Sequence, residues 1–292
     1  MKRGKSRRLF KKKKLHSNQR LGCIIAIIVL IPICYGLYLY YQQCSVQHNS
    51  KPQIETSVSL PTPSGKDLEI PVSLIPRQEQ IIRHKGYTVS YNKDLKIPNW
   101  VSYELTRQET KGKEKRGDNF IADPLVKGAI ATNADYARSG YDKGHMAPAA
   151  DMKWSPDVMK ESFYFSNMCP QHPQLNRRGW KNLEEKIRDW AVADSAIIII
   201  CGPIIDKPSK TIGKNKVAVP ERFFKVILSP FVKPARGIGF LFNNRQAVEP
   251  LSTYAVSIDS IEKLTHMDFF SPLPDEIENA VEANADYYQW PR

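Results

Sequence analysis

The sequence predicts an α+β fold built as one globular domain. Short segments rich in β-branched and aromatic residues recur along the chain, and helical patterns separate only some of them. A strict β-α-β alternation is therefore absent, which favours α+β over a doubly wound parallel fold. With 292 residues and 41% hydrophobic content, the chain retains about 215 residues for one domain after its N-terminal segment is set aside.

Local patterns place the individual elements. Strands are predicted at residues 87–91, 100–105, 163–165, 196–201, 223–228 and 238–242. A helix is predicted over 178–192, because Leu183, Ile187 and Trp190 recur at intervals of three and four. Two later helices are expected near 253–264 and 275–284. Residues 207–216, with Pro208, Gly213 and four lysines, predict a loop that either contacts nucleic acid or is simply solvated.

The N-terminal region predicts a membrane anchor behind a basic tail. Residues 1–20 carry ten Lys or Arg, and residues 21–41 carry no charged side chain. A helix of that length spans about 30 Å, the thickness of a bilayer's hydrocarbon core. The far end is rich in aromatic residues suited to the interface: Tyr35, Tyr38, Tyr40 and Tyr41. The cations before the span predict a cytoplasmic N-terminus and a domain across the membrane, as in a bacterial periplasm.

Two other interpretations of the N-terminus stay open. A cleaved signal peptide is opposed by the length of the apolar run and by the lack of an A-x-A cleavage site. A mitochondrial presequence with an inner-membrane span is opposed by a tail rich in Lys rather than in Arg and Ser. Residues 42–75, rich in Ser, Thr, Pro and Gln, are predicted as a flexible linker. The folded domain is then expected over 76–292.

Charge and cysteine content give weaker signals. The net charge is +13, but outside residues 1–20 there are 33 basic and 30 acidic residues, so the basicity mostly describes the tail. That tail indicates topology and contact with anionic lipid, with nucleic-acid binding as the alternative. In the folded domain Cys169 and Cys201 match no metal-ligand pattern and are either a disulfide or buried free thiols.

Two separated motifs carry the chemistry. Asp142-Lys143-Gly144-His145 places a histidine in a Gly-containing loop, and Asn176 and Glu184 follow on the predicted helix. An imidazole with a pKa near 6.5 can take a proton from water at neutral pH. An amide oxygen and a nearby carboxylate suit a hydrated Mg²⁺. Eight helical residues turn through about 800°, so both side chains can edge one face.

Each residue alone has an ordinary explanation. His145 would be a polar loop residue, Asn176 a helix cap, Glu184 a solvated carboxylate and Trp180 a core residue. Their joint order and spacing favour metal-assisted cleavage of a phosphodiester.

Both motifs resemble one family. Asp142-Lys143-Gly144-His145 is similar to the D-R-G-H signature of the DNA/RNA non-specific endonucleases, the endonuclease G-like ββα-metal nucleases. The run from Asn167 to Glu184 matches the family's N-M-x-P-Q-x(4)-N-x(3)-W-x(3)-E pattern. The resemblance extends from about Gly86 to Phe270.

The resemblance implies a ββα-metal fold with a central, mainly antiparallel sheet flanked by helices. It implies a sugar-non-specific endonuclease that acts on DNA and RNA, leaves 5′-phosphate products and often pairs as a homodimer. The cofactor is Mg²⁺, with Mn²⁺ or another divalent cation possible. His145 is the implied general base, Asn176 the metal ligand, Glu184 a carboxylate that orients water on the metal and Asp142 a support for the loop. Arg116 is the nearest match to the arginine that stabilises the phosphate.

One residue departs from the family signature. Lys143 stands where the family has arginine, and an ammonium lacks the planar fork with which a guanidinium grips two phosphate oxygens. The exchange motivates an alternative of another class, an anchored nucleic-acid-binding protein impaired in cleavage. A phosphodiesterase for small substrates is disfavoured, because the sequence shows no second metal cluster.

Overall fold

A computed structural model describes residues 68–205 and 210–291. The predicted basic tail, the predicted membrane span at 21–41 and most of the predicted linker lie outside these residues. Within the described ranges, no helix combines the length and the apolar character needed to cross a bilayer.

The centre of the fold is a seven-stranded sheet in which all neighbouring strands run antiparallel. Its strands are β2 (Gln80–Arg83), β3 (Thr88–Asn92), β4 (Ile97–Thr106), β7 (Ala196–Ile204), β10 (Arg222–Ser229), β11 (Arg236–Asn243) and β12 (Ala255–Val256). Their order across the sheet is β12-β11-β10-β7-β4-β3-β2. The central, mainly antiparallel sheet implied by the resemblance is confirmed.

Both faces of the sheet are buried. Successive side chains of a strand point to opposite faces, and on β7 this sends Ile197 and Ile199 into one core and Ile198 and Ile200 into the other. A strand buried on both faces needs a continuous apolar run, which is what residues 196–200 supply.

Helices cover the two faces, and short strand pairs complete the fold. The helices are α1 (Asn133–Tyr136), α2 (Pro156–Glu161), α3 (Lys181–Asp194), α4 (Ile258–Thr265) and α5 (Asp275–Glu282). The strand pairs are β1 (Val72–Ser73) with β13 (Met267–Asp268), β5 (Asp142–His145) with β6 (Met168–Gln171), and β8 (Thr211–Ile212) with β9 (Val217–Ala218). Leu183 and Trp190 of α3 belong to one core, whereas Ile261 of α4 and Val281 of α5 belong to the other.

The chain between β6 and α3 is a π-helical turn, Leu175–Trp180. The unit β5-β6-α3 therefore has the ββα order that the resemblance implies. The helix predicted over 178–192 is confirmed as α3, but the helical path starts earlier and in the wider geometry of a π-turn.

Most predicted strands are confirmed, and the strand predicted at 163–165 is wrong. Phe165–Asn167 forms a 3-10 turn instead. The predicted strand is reduced to a single bridge, in which Tyr164 pairs with Ile121. The Asn167 carboxamide then bonds to the backbone N–H and C=O of Ala147 and to the C=O of Ser162, which fixes the turn.

The helix predicted over 253–264 starts late. Leu251–Tyr254 forms a 3-10 turn, and the next two residues form β12 at the edge of the sheet. The α-helix begins at Ile258, after Ser257 caps it by accepting a hydrogen bond from the Ser260 N–H. The helix predicted over 275–284 is confirmed as α5 and ends at Glu282.

Three further predictions are settled by the described residues. The linker assignment is wrong for 68–75, because Leu68 is buried in a core and Val72–Ser73 pairs with β13. The loop assignment over 207–216 is wrong where β8 and β9 form a hairpin, while 206–209 lie outside the described residues. Cys169 and Cys201 are free buried thiols, so the disulfide alternative is wrong.

A buried carboxylate fixes the segment that leads to β6. Asp123 is 4% exposed and accepts hydrogen bonds from the Ser166 hydroxyl at 2.5 Å, the His84 ring at 2.9 Å and the Leu125 N–H at 2.9 Å. Burial alone would raise the pKa of Asp123, but the hydrogen bonds from His84, Ser166 and Leu125 outweigh it and hold the pKa below 3.8. Asp123 thus contributes stability in its ionised form.

We expect Asp123→Asn to lower the free energy of unfolding by about 3 kcal/mol at neutral pH, since it removes a charged acceptor from three donors. Urea denaturation measures the loss, with the exposed Asp118→Asn as control. Because the folded-state pKa is depressed, the difference from wild type should shrink as pH falls below the ordinary carboxyl value of 3.8. Equal midpoints for wild type and Asp123→Asn at neutral pH would contradict this role.

Candidate functional site

His145 lies in a strand rather than in the loop expected from the sequence. Strand β5 pairs antiparallel with β6, with Asp142 opposite Gln171 and His145 opposite Met168. The pairing joins segments more than twenty residues apart, so local turn signals around Gly144 could not reveal it. The ladder gives His145 a fixed backbone.

Gly144 permits this pairing. The side chain of Gln171 is fully buried against it, and a Cβ atom at position 144 would lie 2.6 Å from the Gln171 Cβ. Real Cβ contacts are never so close. The glycine of the motif is therefore required by a close approach of β6, not by an unusual backbone angle.

Strand β5 is tied to the π-turn at both ends. At its start, the Asp142 carboxylate accepts hydrogen bonds from the Asn176 carboxamide at 2.9 Å and from the Arg177 guanidinium at 2.7 and 2.8 Å. At its end, the Trp180 indole N–H donates to the backbone oxygen of His145 at 3.3 Å. These contacts fix the strand relative to the helix.

The contact with Asp142 orients the Asn176 side chain. An ionised carboxylate only accepts hydrogen bonds, so the carboxamide must present its nitrogen to Asp142. Its oxygen is thereby left as the atom that can bind a cation. Asn176 lies inside the π-turn, with Gln174 at the N-cap position, so the expected helix-capping role of Asn176 is wrong.

The π-turn also brings Asn176 and Glu184 closer to one line. Eight residues of regular α-helix turn through about 800° and leave two side chains about 80° apart. A π-turn accommodates roughly one more residue for the same rotation, so the separation counts as about 700° and the residual angle falls to about 20°. A regular α-helix therefore predicts a larger angle between the Asn176 and Glu184 side chains than the π-turn allows.

Five of the six predicted site residues line one cleft of about 480 Å³. They are Arg116, Lys143, His145, Asn176 and Glu184. The sixth, Asp142, contacts Asn176 as described above. The rest of the lining consists of Pro148, Ala149, Ala150, Arg177, Lys181, Glu185 and Arg188. Besides the predicted residues, the cleft therefore contains three further cations and one further carboxylate.

His145 is held neutral. The residue is 7% exposed, and its ring packs against Phe120 at 5.6 Å and edge-on against Phe163 at 5.0 Å between centroids. Its Nε2 is buried without a hydrogen-bond partner among the described residues. Burial, and then the charge of Arg116, lower the pKa of His145 to about 3. At neutral pH the ring therefore offers a free lone pair.

The carboxyl group of Glu184 lies deep, although the residue as a whole is half-buried. Burial raises its pKa to about 7. The neighbouring Asp151 raises it further, and Lys225, Arg188 and Arg116 lower it. A carboxyl poised in this way ionises readily when positive charge is added to the cleft.

Two cations face the cleft from the other side. Arg116 is exposed, and its guanidinium carbon lies 5.5 Å from the centre of the Phe163 ring. The Lys143 ammonium donates to the Asn133 carboxamide oxygen at 2.9 Å and lies 4.4 Å from the centre of the Phe120 ring. Both charges are available to an anion in the cleft.

Comparison with known proteins identifies the family. The sequence profile of the DNA/RNA non-specific endonucleases matches residues 64–276. The chain belongs to the DNA/RNA non-specific endonuclease family.

Relatives cover most of the chain. A nuclease of Nostoc sp. is 28% identical over 277 residues, which are 90% of this chain and 97% of the relative. Human mitochondrial endonuclease G is 33% identical over 213 residues, 67% of this chain and 71% of that protein. A crystal structure of the complex of EndoG with EndoGI, on the mechanism of EndoG inhibition, superposes with a TM-score of 0.63 at 29% identity and covers 68% of this chain and 89% of the other.

The expected activity class is confirmed. This member of the endonuclease family is a hydrolase of nucleic acids, and its family consists of metal-dependent nucleases that use divalent cations. The comparisons confirm the activity class, and they do not test the roles of individual residues.

The sequence alone did not reveal the charged groups beneath the cleft of this endonuclease. The fully buried Asp151 accepts hydrogen bonds from Arg188 at 2.8 Å and Tyr103 at 2.9 Å. The fully buried Lys225 lies 4.4 Å from the centre of the Trp180 ring, and its Nζ has no hydrogen-bond partner in the described part of the chain. Lys225 could have been noticed in the sequence as a lysine inside an otherwise apolar strand. Arg188 could have been noticed because it follows Glu184 by four residues, which places both on one face of a helix.

We expect Lys143→Arg to raise plasmid-nicking kcat/KM roughly fivefold, because a guanidinium grips two phosphate oxygens where an ammonium offers a point charge. Initial rates of supercoil loss under saturating divalent metal measure the effect. Lys181→Arg, on the same cleft, makes the same chemical change outside the motif and should leave the rate unchanged. An unchanged or reduced rate for Lys143→Arg would show that an arginine at this position gives no advantage in this protein.

Proposed function

We propose that the protein is a membrane-anchored, sugar-non-specific endonuclease that hydrolyses phosphodiester bonds of DNA and RNA with a divalent metal and His145 as general base. The observation that carries the proposal is the convergence of three groups on one cleft: the neutral His145 ring, the oriented Asn176 oxygen and the Glu184 carboxyl. Family membership supports the activity, and this convergence supports the roles.

His145 supplies the proton acceptor. Its ring is unprotonated at neutral pH, since burial and Arg116 lower its pKa to about 3. A phosphate anion bound nearby stabilises the protonated ring and raises its basicity when the proton arrives. The base is thus weak in the free enzyme and becomes stronger with substrate in place.

The residues of the cleft fit a divalent cation. Asn176 would hold it through the carboxamide oxygen that Asp142 leaves available, and Glu184 would add a carboxylate whose raised pKa such a charge would lower. One or two protein oxygens with the remaining positions left to water suit Mg²⁺, and Mn²⁺ or another divalent cation is the alternative. When bound, the cation stabilises negative charge on the phosphate and the departing oxygen.

The other predicted residues have electrostatic or positioning roles. Arg116 and Lys143 hold the phosphate by charge, since both line the cleft. Asp142 acts through Asn176, whose side chain it orients. In these roles the groups act on phosphate, which DNA and RNA share, and this accords with cleavage of both. Products with a 5′-phosphate are part of the proposal, as the family resemblance implies, and a homodimer stays a prediction.

We expect His145→Ala to lower the rate of plasmid nicking at least a hundredfold, because the proton acceptor is lost. Excess EDTA should abolish nicking by wild type, and Mg²⁺ or Mn²⁺ should restore it. His172→Ala is the matched control, since His172 is half-buried on the neighbouring segment but does not line the cleft.

Two outcomes of this assay would count against the proposal. Cleavage by His145→Ala at the wild-type rate would remove His145 from the mechanism. If the wild-type protein binds labelled DNA but does not cleave it with any divalent metal tested, the alternative of a nucleic-acid-binding protein is favoured.

The anchor and its orientation rest on sequence features outside the described residues. The uncharged run at 21–41 and the ten cations before it support a single span with the N-terminus in the cytoplasm and the endonuclease domain in an extracytoplasmic space such as a bacterial periplasm. In a bacterial host, alkaline phosphatase fused after residue 75 should be active and β-galactosidase fused there inactive. The reverse pattern would overturn the topology.

A further inference from the structure

Five carboxyl groups converge on the face of the sheet opposite α3. They come from two helices and a short strand: Asp259 and Glu262 on α4, Asp268 on β13, and Glu278 and Glu282 on α5. Nothing in the proposed cleavage mechanism uses them. Like charges repel at such proximity, so their convergence needs a physical explanation.

Two overlapping sets of three carboxyl groups are each close enough to bind a cation. Oxygen atoms of Asp259, Glu262 and Glu282 lie within 4.8 Å of one another, and so do those of Asp268, Glu278 and Glu282. Glu282 is common to both sets. Two oxygens that bind one Ca²⁺ ion from opposite sides, each at about 2.4 Å, are about 4.8 Å apart, so the members of each set are close enough to share one cation.

Glu282 provides a second, separate observation. The residue is only 6% exposed, and its Oε1 is buried without a hydrogen-bond partner among the described residues. An unpaired buried oxygen of this kind costs free energy that the fold must recover elsewhere. Buried polar atoms without protein partners are found where an ion or water completes the site.

The largest charge effects on Glu282 come from other carboxylates. Burial and the charges of Glu262, Glu278, Asp268 and Asp259 raise the pKa of Glu282 to about 9. A neighbouring backbone group helps only one member, since the Phe269 N–H donates to Glu262 at 2.7 Å. A bound cation would satisfy the whole cluster at once.

We propose that these carboxyl groups form a calcium site, centred on Glu282, that ties α4, β13 and α5 together. The all-oxygen donor set is that of a hard cation, and the number of carboxylates favours Ca²⁺, because Mg²⁺ usually keeps several waters and binds through one or two carboxylates. The site is structural: it lies on the side of the sheet away from the nuclease cleft and stabilises the packing of α4 and α5. It is independent of the proposed cleavage mechanism.

The full chain, stripped with EDTA and dialysed, provides the test. Calcium chloride should raise the wild-type Tm by about 5 °C or more once it exceeds Kd a hundredfold. Glu282→Gln should lose this shift. Glu276→Gln, an exposed residue on the same helix outside the cluster, should keep it. Asn176→Ala should also keep it, which separates this site from the nuclease cleft.

A second variant and a second measurement test the site independently of the folding of Glu282→Gln. If Glu282→Gln does not fold, the half-buried Asp268→Asn should weaken calcium binding at least tenfold in equilibrium dialysis. Glu282→Gln should still nick plasmid with Mg²⁺, so the outcome is distinct from that of the catalytic test. The proposal would be overturned if the wild-type Tm did not change with calcium up to 10 mM, which is about a hundredfold above the Kd of a 10⁻⁴ M site. An equal Tm shift in Glu282→Gln would also overturn it.

Discussion

The site depends on the attachment of one short strand to the helix that faces it. Asp142 at the start of β5 binds Asn176 and Arg177, and the His145 carbonyl at its end accepts from Trp180. Because both ends are held, the His145 ring and the Asn176 oxygen cannot move independently of each other. The proposed mechanism, with a cation held by Asn176 and a proton acceptor at His145, needs this fixed relation, since small displacements of reacting groups cost large factors in rate.

The attachment also explains the electrostatics of the cleft. Holding His145 between Phe120 and Phe163 removes water from its ring and keeps it neutral. The same burial raises the pKa of Glu184, and the buried Lys225 beneath Trp180 offsets part of that rise. At neutral pH His145 is therefore neutral and Glu184 only partly ionised in the free enzyme, and both respond to charges that arrive with metal and phosphate.

The sequence predicted the activity class and the residues that line the cleft better than it predicted the local backbone. Residues 196–201 and 223–228 were recognisable as strands because buried strands need continuous apolar runs. Strand β5 escaped prediction because its only partner, β6, lies more than twenty residues away. The turn at Phe165–Asn167 escaped prediction because the pairing of Tyr164 with the distant Ile121 extends over one residue only. Motif spacing indicated the site residues correctly as neighbours, whereas the buried Lys225 and Asp151 had no motif to mark them.

The central claim is that a divalent cation binds the Asn176 oxygen beside the His145 ring. Anomalous diffraction from crystals soaked in Mn²⁺ tests it most directly. We expect a manganese peak within about 2.5 Å of the Asn176 Oδ1, on the side of the cleft that His145 lines, and loss of that peak in Asn176→Ala. A peak that avoids Asn176 altogether, or one that persists unchanged in Asn176→Ala, would contradict the account.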